Sequence, residues 1–222
     1  MRSHSQEESD MTANNQGAKL TRREREKLRH RREILKAAER VFVDKGFERA
    51  TVEDIAREAE FSVGAVYTFF DSKEGLCSEV MAKIAEDFLD DFRQEVKGTE
   101  GPQEAIAKVI EVRLRHVQDH GGFLRLFMES KPGSRVTPDS AVPQNCRGLY
   151  DTYVTEVAAL FKAAMAKGLV RKTNPLYAAL SLEGAINAFS AYWGRKEMSL
   201  SLAEQVETVR RNCLEMLETR DG

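Results

Sequence analysis

Residues 51–73 read TVEDIAREAEFSVGAVYTFFDSK and predict two short helices joined by a tight turn. The hydroxyl of Thr51 can accept a hydrogen bond from an unpaired N–H group at the start of the first helix, and Ser62 can do so for the second. The first helix has one apolar face, which is formed at helical spacing by Val52, Ile55, Ala56 and Ala59. The turn falls at Glu60 and Phe61, so this stretch predicts a helix-turn-helix unit.

The second of these helices is predicted over residues 63–70 and has two distinct faces. Val66 and Phe70 lie four residues apart and point inward. The other face is small at its beginning and aromatic beyond it, with Gly64, Ala65, Tyr67, Thr68 and Phe69. A helix that enters a DNA groove needs little bulk where the bases approach, so we predict that this face contacts DNA.

This unit and the helix before it resemble the DNA-binding domain of the TetR family of bacterial transcriptional regulators. The resemblance rests on ILKAAERVFVDKGFERATVEDIA at residues 34–56 and on SVGAVYTFFDSKEGL at residues 62–76. It implies that the helix beginning at Val63 enters the major groove and that Tyr67 and Lys73 contact phosphates. This sequence departs from the family in having Glu60 where glycine is frequent and Ala65 where threonine is frequent.

The resemblance also implies a two-fold homodimer on a palindromic operator, a small hydrophobic or amphipathic effector, and repression of transcription. From the pattern and the resemblance together we predict these DNA-binding residues: Thr51, Ser62, Gly64, Ala65, Tyr67, Thr68, Phe69, Lys73, Arg29 and Arg32. Alanine and phenylalanine can contact thymine methyl groups but cannot form hydrogen bonds with bases. We therefore expect methyl contacts, the basic segment before this unit and DNA shape to carry more of the sequence discrimination than usual.

The charge distribution favours a nucleic-acid partner although the formal net charge is −2. Residues 19–32 hold eight lysines and arginines against Glu24 and Glu26, a local balance of +6. A basic block of this kind attracts phosphate groups. We predict that part of this segment, including Arg29 and Arg32, contacts DNA, with a solvated basic helix end as the alternative.

The apolar periodicity of the remaining chain predicts an all-α protein of about nine helices. The expected organisation is a disordered tail over residues 1–20, a DNA-binding domain over residues 21–72 and an effector-binding and dimerisation domain over residues 73–222. Within the second domain, one helix is expected to end near Gly121 and Gly122, and a loop is expected over residues 132–143. The helix over residues 73–96 touches both domains and is the expected lever between them.

Residues 176–193, LYAALSLEGAINAFSAYW, are apolar or small on nearly every side of a predicted helix. Such a helix must be covered on every side. We predict that one face packs on its own core and another on a second copy of the chain, with a wholly internal helix as the alternative. Close approach of a partner helix is favoured by Ala178, Ala179, Gly184, Ala185, Ala188 and Ala191.

Aromatic and polar-tipped residues of the second domain supply candidate effector contacts: Phe88, Phe92, Phe127, Tyr150, Tyr153, Glu183 and Asn187. A buried carboxylate costs several kcal/mol unless it is paired. Glu183 is therefore expected either to pair with an arginine of this chain or its partner, to face solvent, or to face a ligand.

Other classes of protein are less well supported by the sequence. We find no catalytic motif, no long apolar run that would span a membrane and no apolar signal-peptide core, and we expect a cytoplasmic protein without cofactor or metal. His116 and His120 are four residues apart but lack an evident third ligand, and the three cysteines are scattered. Two alternatives stay open: a TetR-like DNA-binding protein controlled by a protein partner or by no ligand, and an all-helical enzyme or carrier on the same fold.

Overall fold

The computed structural model describes residues 21–129, 144–196 and 198–213, and these ranges contain helices and no strands. The eight helices are α1 (Arg22–Lys45), α2 (Val52–Glu58), α3 (Val63–Tyr67), α4 (Lys73–Lys97), α5 (Pro102–Glu129), α6 (Gln144–Ala166), α7 (Pro175–Arg195) and α8 (Leu202–Cys213). The all-α prediction is confirmed. The predicted tail over residues 1–20 and loop over residues 132–143 lie outside the described residues. None of the described helices is long and apolar enough to cross a membrane.

The helix α1 includes the basic segment of the sequence. Thr21 and Glu24 form a reciprocal capping box, in which each side chain accepts a hydrogen bond from the other residue's backbone N–H. The helix ends at Gly46, whose φ of 76° lies in the left-handed region that glycine adopts without strain. The arginines from Arg22 to Arg32 are therefore presented on a helix, with most of their side chains exposed.

The predicted helix end at Gly121 and Gly122 is wrong, because α5 continues through both residues for 28 residues, roughly 42 Å. The physical reason is a close approach of α1: a Cβ atom added at Gly122 would lie 3.2 Å from Cγ1 of Val43. Glycine here makes room for a neighbouring helix and does not end its own.

The buried residues form two hydrophobic cores, and both α4 and α5 contribute to each of them. The amino-terminal core combines Ile34, Phe42, Ile55, Val66 and Phe70 with Leu76, Val80, Ile84, Phe123 and Phe127. The body core combines Leu89, Phe92, Ile106, Val109, Ile110 and Leu114 with residues of α6, α7 and α8 such as Tyr153, Phe161, Leu182, Trp193 and Val209. The amino-terminal core thus includes α4 and α5 residues beyond position 72, the predicted domain boundary.

Helix ends in the second half of the chain follow their local sequence signals. Gly168 has a φ of 69°, and the backbone N–H of Leu169 donates to the carbonyl of Ala164 at 3.0 Å. The amide oxygen of Asn174 accepts from the N–H of Leu176 at 2.9 Å and caps α7. Ser201 and Glu204 form a capping box at the start of α8.

Candidate nucleic-acid interface and effector cluster

The turn between α2 and α3 is built by two caps and one left-handed residue. The Oγ1 atom of Thr51 accepts from the N–H of Asp54 at 3.1 Å, and Oγ of Ser62 accepts from the N–H of Ala65 at 3.1 Å. Glu60 has a φ of 60°, a conformation that costs a non-glycine residue energy. Both predicted caps are thus present, whereas DNA contacts by Thr51 and Ser62 stay predictions.

Two backbone bonds close the end of α2 around Glu60. The N–H of Glu60 donates to the carbonyl of Arg57 at 3.2 Å, and the N–H of Phe61 donates to that of Ala56 at 2.8 Å. This pair of bonds defines a Schellman motif, which normally has glycine at the left-handed position. The departure from the family pattern at Glu60 therefore leaves the turn's backbone geometry intact.

The helix α3 ends at Tyr67, three residues earlier than predicted. The hydroxyl of Thr68 donates to the carbonyl of Ala65 at 2.6 Å. The backbone N–H of Thr68 donates to the same carbonyl, and those of Phe69 and Phe70 donate to the carbonyl of Val66. Val66 and Phe70 are buried, as predicted. A short α3 places its exposed side at the surface of the unit.

The exposed side of α3 offers an unobstructed surface. A Cβ atom added at Gly64 would meet no atom within 4 Å, and the side chain of Tyr67 is 50% exposed. Phe69 instead lies beyond the helix, half-buried against the amino-terminal core, with its ring centroid 6.4 Å from that of Phe70. Gly64, Tyr67 and Thr68 are thus exposed towards DNA, whereas base contacts by Ala65, Thr68 and Phe69 stay predictions.

Lys73 has partners within its own chain that the sequence did not indicate. Its Nζ atom donates to the carbonyls of Phe47 at 2.8 Å, Glu48 at 3.4 Å and Ala50 at 3.2 Å. The same atom lies 4.5 Å from the centroid of the Phe47 ring, within the range of a cation–π contact. Lys73 thus ties the start of α4 to the connection between α1 and α2, and a phosphate contact would compete with these bonds.

The two arginines predicted to bind DNA lie on the exposed basic part of α1. Arg29 is 3.7 Å from Glu33, and its side chain is still 64% exposed. Arg32 donates from Nε to the carbonyl of Leu28 at 3.3 Å. An exposed ion pair contributes little free energy, so the guanidinium group of Arg29 can reorient towards phosphate, and the side chain of Arg32 is exposed as well.

A buried polar cluster connects α5, α6 and α7 in the body core. Glu183 is 2% exposed and accepts hydrogen bonds from the hydroxyl of Tyr153 at 2.5 Å and from Nε of Arg113 at 3.2 Å. Nη2 of Arg113 donates to Oδ1 of Asn187 at 3.0 Å. Of the alternatives for Glu183, the structure therefore shows pairing with an arginine of the same chain.

Aromatic rings surround this polar cluster. The ring centroids of Phe88 and Phe92 lie 4.8 and 5.0 Å from that of Tyr153, both edge-on. Burial, followed by the charge of Glu183, raises the pKa of Tyr153 well above its ordinary value. The phenol therefore stays protonated and donates a hydrogen bond to Glu183.

The structure groups most of the predicted effector contacts. Phe88, Phe92, Tyr153 and Glu183 meet in the cluster, Asn187 joins it through Arg113, and Tyr150 packs half-buried against the same core. Phe127 lies instead in the amino-terminal core and does not meet the others.

Sequence reasoning missed Arg113 and His116, the two α5 residues of the cluster. The guanidinium carbon of Arg113 lies 5.6 Å from the centroid of Phe88, and the ring of His116 lies 4.7 Å from the same centroid. Burial, together with the charge of Arg113, lowers the pKa of His116 to about 3, so its imidazole is neutral. Their three-residue spacing on one helix face was visible in the sequence, but their partner on α7 was not.

Two cavities lie at the other end of the body. One of about 40 Å³ is lined by Ile106, Ala164, Leu169 and Val170, among others, and an open cleft of about 520 Å³ adjoins it beside Pro102 and Lys167. Both are formed near the first turns of α5, away from Glu183.

The geometry defines a class: an all-α protein whose amino-terminal helix-turn-helix, with a basic first helix, is joined to a larger helical body. Residues 34–80, from α1 into α4, match the family described as bacterial regulatory proteins, tetR family. Through this amino-terminal unit, the chain is similar to the bacterial transcriptional regulators of the TetR family.

Known relatives match only part of the chain. The uncharacterized HTH-type transcriptional regulator YfiR of Bacillus subtilis (strain 168) is 41% identical over 73 residues, 33% of this chain and 33% of that protein. The chain spans about a third of the length of the Bacillus subtilis regulators YerO, YfiR and YuxN.

Solved structures match much more of the chain. A regulator of the TetR/AcrR family from Thermobifida fusca YX-ER1 is 26% identical with a TM-score of 0.67, over 83% of this chain and 96% of that one. The regulator FadR from Bacillus subtilis in complex with stearoyl-CoA has a TM-score of 0.69 at 16% identity, over 84% of this chain and 99% of that one. The second likeness concerns the fold alone.

Proposed function

We propose that this protein is a DNA-binding transcriptional regulator, acting as a homodimer, that a small molecule releases from its operator. The observation that carries the proposal is the exposed side of α3, where Gly64 and Tyr67 face outward from a capped helix-turn-helix. The family match over residues 34–80 covers this same unit. Repression, as opposed to activation, follows from the family resemblance.

The exposed face of α7 supports the dimer. Tyr177 is 64% exposed, and Leu176, Leu180 and Tyr192 are each more than 40% exposed. Gly184, Ala188 and Ala191 lie exposed among them and allow close helix contact, whereas Ala178 and Ala179 pack into the chain's own core. Large apolar side chains around small ones form a surface suited to a second copy of α7.

A two-fold dimer defines the form of the DNA site. Two copies of α3 would enter successive major grooves of a palindromic operator, one helical turn or a multiple of it apart. Tyr67 would contact a phosphate and the absence of a side chain at Gly64 would allow the backbone to approach the bases. The exposed arginines of α1, including Arg29 and Arg32, would add attraction that is independent of sequence.

The cluster around Glu183 is the proposed effector site. It combines buried polar groups with aromatic walls, the composition usual in sites for small organic molecules. FadR of Bacillus subtilis, which shares the fold, was solved with stearoyl-CoA, and this supports a small hydrophobic or amphipathic effector here.

The helix α5 connects this site with the DNA-binding unit. Arg113 lies in the cluster, and Phe123 and Phe127, less than four turns farther along, pack in the amino-terminal core. The predicted lever α4 likewise contributes to both cores. A ligand that binds better to one arrangement of these helices would shift the spacing of the two DNA-binding units.

The direct test is selection of bound fragments from the source genome, followed by gel shifts with the selected DNA. The decisive variant is Gly64→Gln, which places a side chain in open space and so leaves the fold intact while blocking the groove. The matched control is Gly148→Gln on α6, where an added Cβ also meets no atom within 4 Å. We expect Gly64→Gln to lose DNA binding and Gly148→Gln to retain it; no selected DNA, or equal behaviour of both variants, would refute the proposal.

A further inference from the structure

One nitrogen of the buried Arg113 guanidinium has no hydrogen-bond acceptor among the described residues. Nε donates to Glu183 and Nη2 donates to Asn187, but Nη1 is buried and unpaired. Buried donors are almost always paired in native proteins, and each exception calls for an explanation. The arrangement around Arg113 is therefore suited to hold one additional acceptor atom.

A second unpaired polar atom lies on α7. Oγ of Ser190 is buried without a partner among the described residues. Ser190 follows Glu183 by seven residues and Asn187 by three, so the three residues share one edge of the helix, named here the polar strip. Two unpaired atoms along a single strip point to one bound molecule that meets both.

The charges of the cluster restrict what that molecule can be. The positive charge of Arg113 balances the negative charge of Glu183. His116 is neutral because burial and the charge of Arg113 lower its pKa to about 3. A bound anion would leave an uncompensated negative charge beside Glu183 in a buried place. A bound cation would offer no acceptor to Nη1, so an uncharged acceptor fits best.

The walls of the cluster restrict the body of the molecule. Around the half-buried ring of Phe88 lie Arg113, His116 and Tyr153, the last two with ring centroids 4.7 and 4.8 Å away. Such rings favour stacking with a flat apolar group. The side chain of Arg113 is 17% exposed and Asn187 is exposed, so the cluster reaches the surface along the polar strip.

We propose that this cluster binds an uncharged molecule with a planar apolar body, whose carbonyl oxygen accepts a hydrogen bond from Nη1 of Arg113. The proposal rests on the proposed function only in taking this cluster as the effector site. Ser190 donates to, or accepts from, a second polar atom of the same molecule.

The experiment uses three probes that share one body and differ in the charge of the head group: 4-butylbenzamide, 4-butylbenzoate and 4-butylbenzylammonium. Binding to the full chain without DNA is measured by calorimetry and by the fluorescence of Trp193, the single tryptophan. Trp193 follows Ser190 by three residues, and its ring stacks on that of Phe189. We expect saturable binding of the amide and at least about tenfold weaker binding of the other two probes. The ammonium group cannot accept a hydrogen bond from Nη1 of Arg113, and the benzoate adds an uncompensated negative charge beside Glu183.

Two variants test whether the amide binds where proposed. Arg113→Lys keeps a positive charge opposite Glu183 but removes the forked nitrogens, and is expected to weaken amide binding about tenfold or more. Ser190→Ala removes an unpaired hydroxyl, so the fold should not suffer, and amide binding should fall about threefold or more. The matched control is Arg115→Lys, on the same helix but paired with Glu95 and Glu111, which should change nothing.

Several results would overturn the inference: no saturable binding of the amide, tighter binding of the benzoate or the ammonium probe, or amide binding unaffected by both Arg113→Lys and Ser190→Ala. A buried water on Nη1 would produce the last of these. Gel shifts on the same preparations separate this failure from that of the proposed function, which fails if no DNA is bound or if Gly64→Gln and Gly148→Gln bind DNA equally.

Discussion

Nδ1 of His120 on α5 lies 2.6 Å from the carboxylate of Glu39 on α1, so one hydrogen bond joins the helix that carries Arg113 to the first helix of the DNA-binding unit. The ring of His120 also lies 5.0 Å from that of His116, which itself contacts Phe88. From the proposed effector site, these contacts pass through His116 and His120 of α5 to Glu39 of α1. A second polar link between the two parts is the ion pair of Arg31 on α1 with Glu79 on α4, at 2.9 Å.

The first prediction is that this link weakens as the pH rises. The hydrogen bond to Glu39 raises the pKa of His120, with smaller contributions from the charges of Glu39, Asp119 and Asp87 opposing the effect of burial. A raised pKa means that the link stabilises the folded state fully below the unfolded value of about 6.5 and loses that contribution as pH rises through the folded pKa. The neutral His116 does not titrate in this range.

A double-mutant cycle measures the link. Glu39→Gln, His120→Gln and the double variant are unfolded by urea at pH 6 and at pH 8.5. The coupling energy should be about 0.5–1 kcal/mol at pH 6, because both groups are partly exposed, and should fall towards zero at pH 8.5. A coupling energy that is equal at both pH values would contradict the assignment.

Local signals in the sequence predicted the fold well because their partners lie within a few residues. Thr51 and Ser62 bond to N–H groups three residues away, and so does Ser201 at the start of α8. The inward positions of Val66 and Phe70 likewise follow from helical periodicity alone.

Signals that depend on distant residues could not be predicted. Gly122 is typical of a helix end, but it lies inside α5, where an added Cβ atom would be 3.2 Å from Cγ1 of Val43, 79 positions earlier. Arg113 and Glu183 are 70 residues apart, and no local pattern pairs them. For the same reason, the sequence does not indicate that the ammonium group of Lys73 donates to carbonyl groups more than 20 residues earlier. Its phosphate contact stays a prediction.

The second prediction is that Glu60→Gly stabilises the protein. Glu60 is held in the left-handed region, where a side chain costs about 1 kcal/mol relative to glycine, partly offset by the greater freedom of glycine in the unfolded chain. We expect a gain of about 0.5–1 kcal/mol in the free energy of unfolding. The control Glu53→Gly, at an exposed position in the first turn of α2, should instead lose about 1 kcal/mol. Equal losses for both variants would show that Glu60 is not strained.

The third prediction separates two roles of Lys73. If its main partners are the carbonyls of Phe47 and Ala50, Lys73→Met should lower the free energy of unfolding by about 1–3 kcal/mol, because these acceptors lose a charged donor. The salt dependence of DNA binding should then stay unchanged. Loss of a phosphate contact would instead reduce the slope of log K against log salt by about 0.9, with little change in stability. Tyr67→Phe is the comparison, since it removes only an exposed hydroxyl.

The fourth prediction concerns the energetic balance between Arg113 and Glu183. Arg113→Met would leave Glu183, 2% exposed, with only the hydroxyl of Tyr153 as partner, and should cost about 3–5 kcal/mol of unfolding free energy. Combining it with Glu183→Gln removes the uncompensated charge, so the double variant should recover more than half of that loss. Urea unfolding of the two single variants and the double variant gives both values. A double variant that is no more stable than Arg113→Met alone would mean that Arg113 acts through packing on Phe88, and that charge balance is not what holds the cluster together.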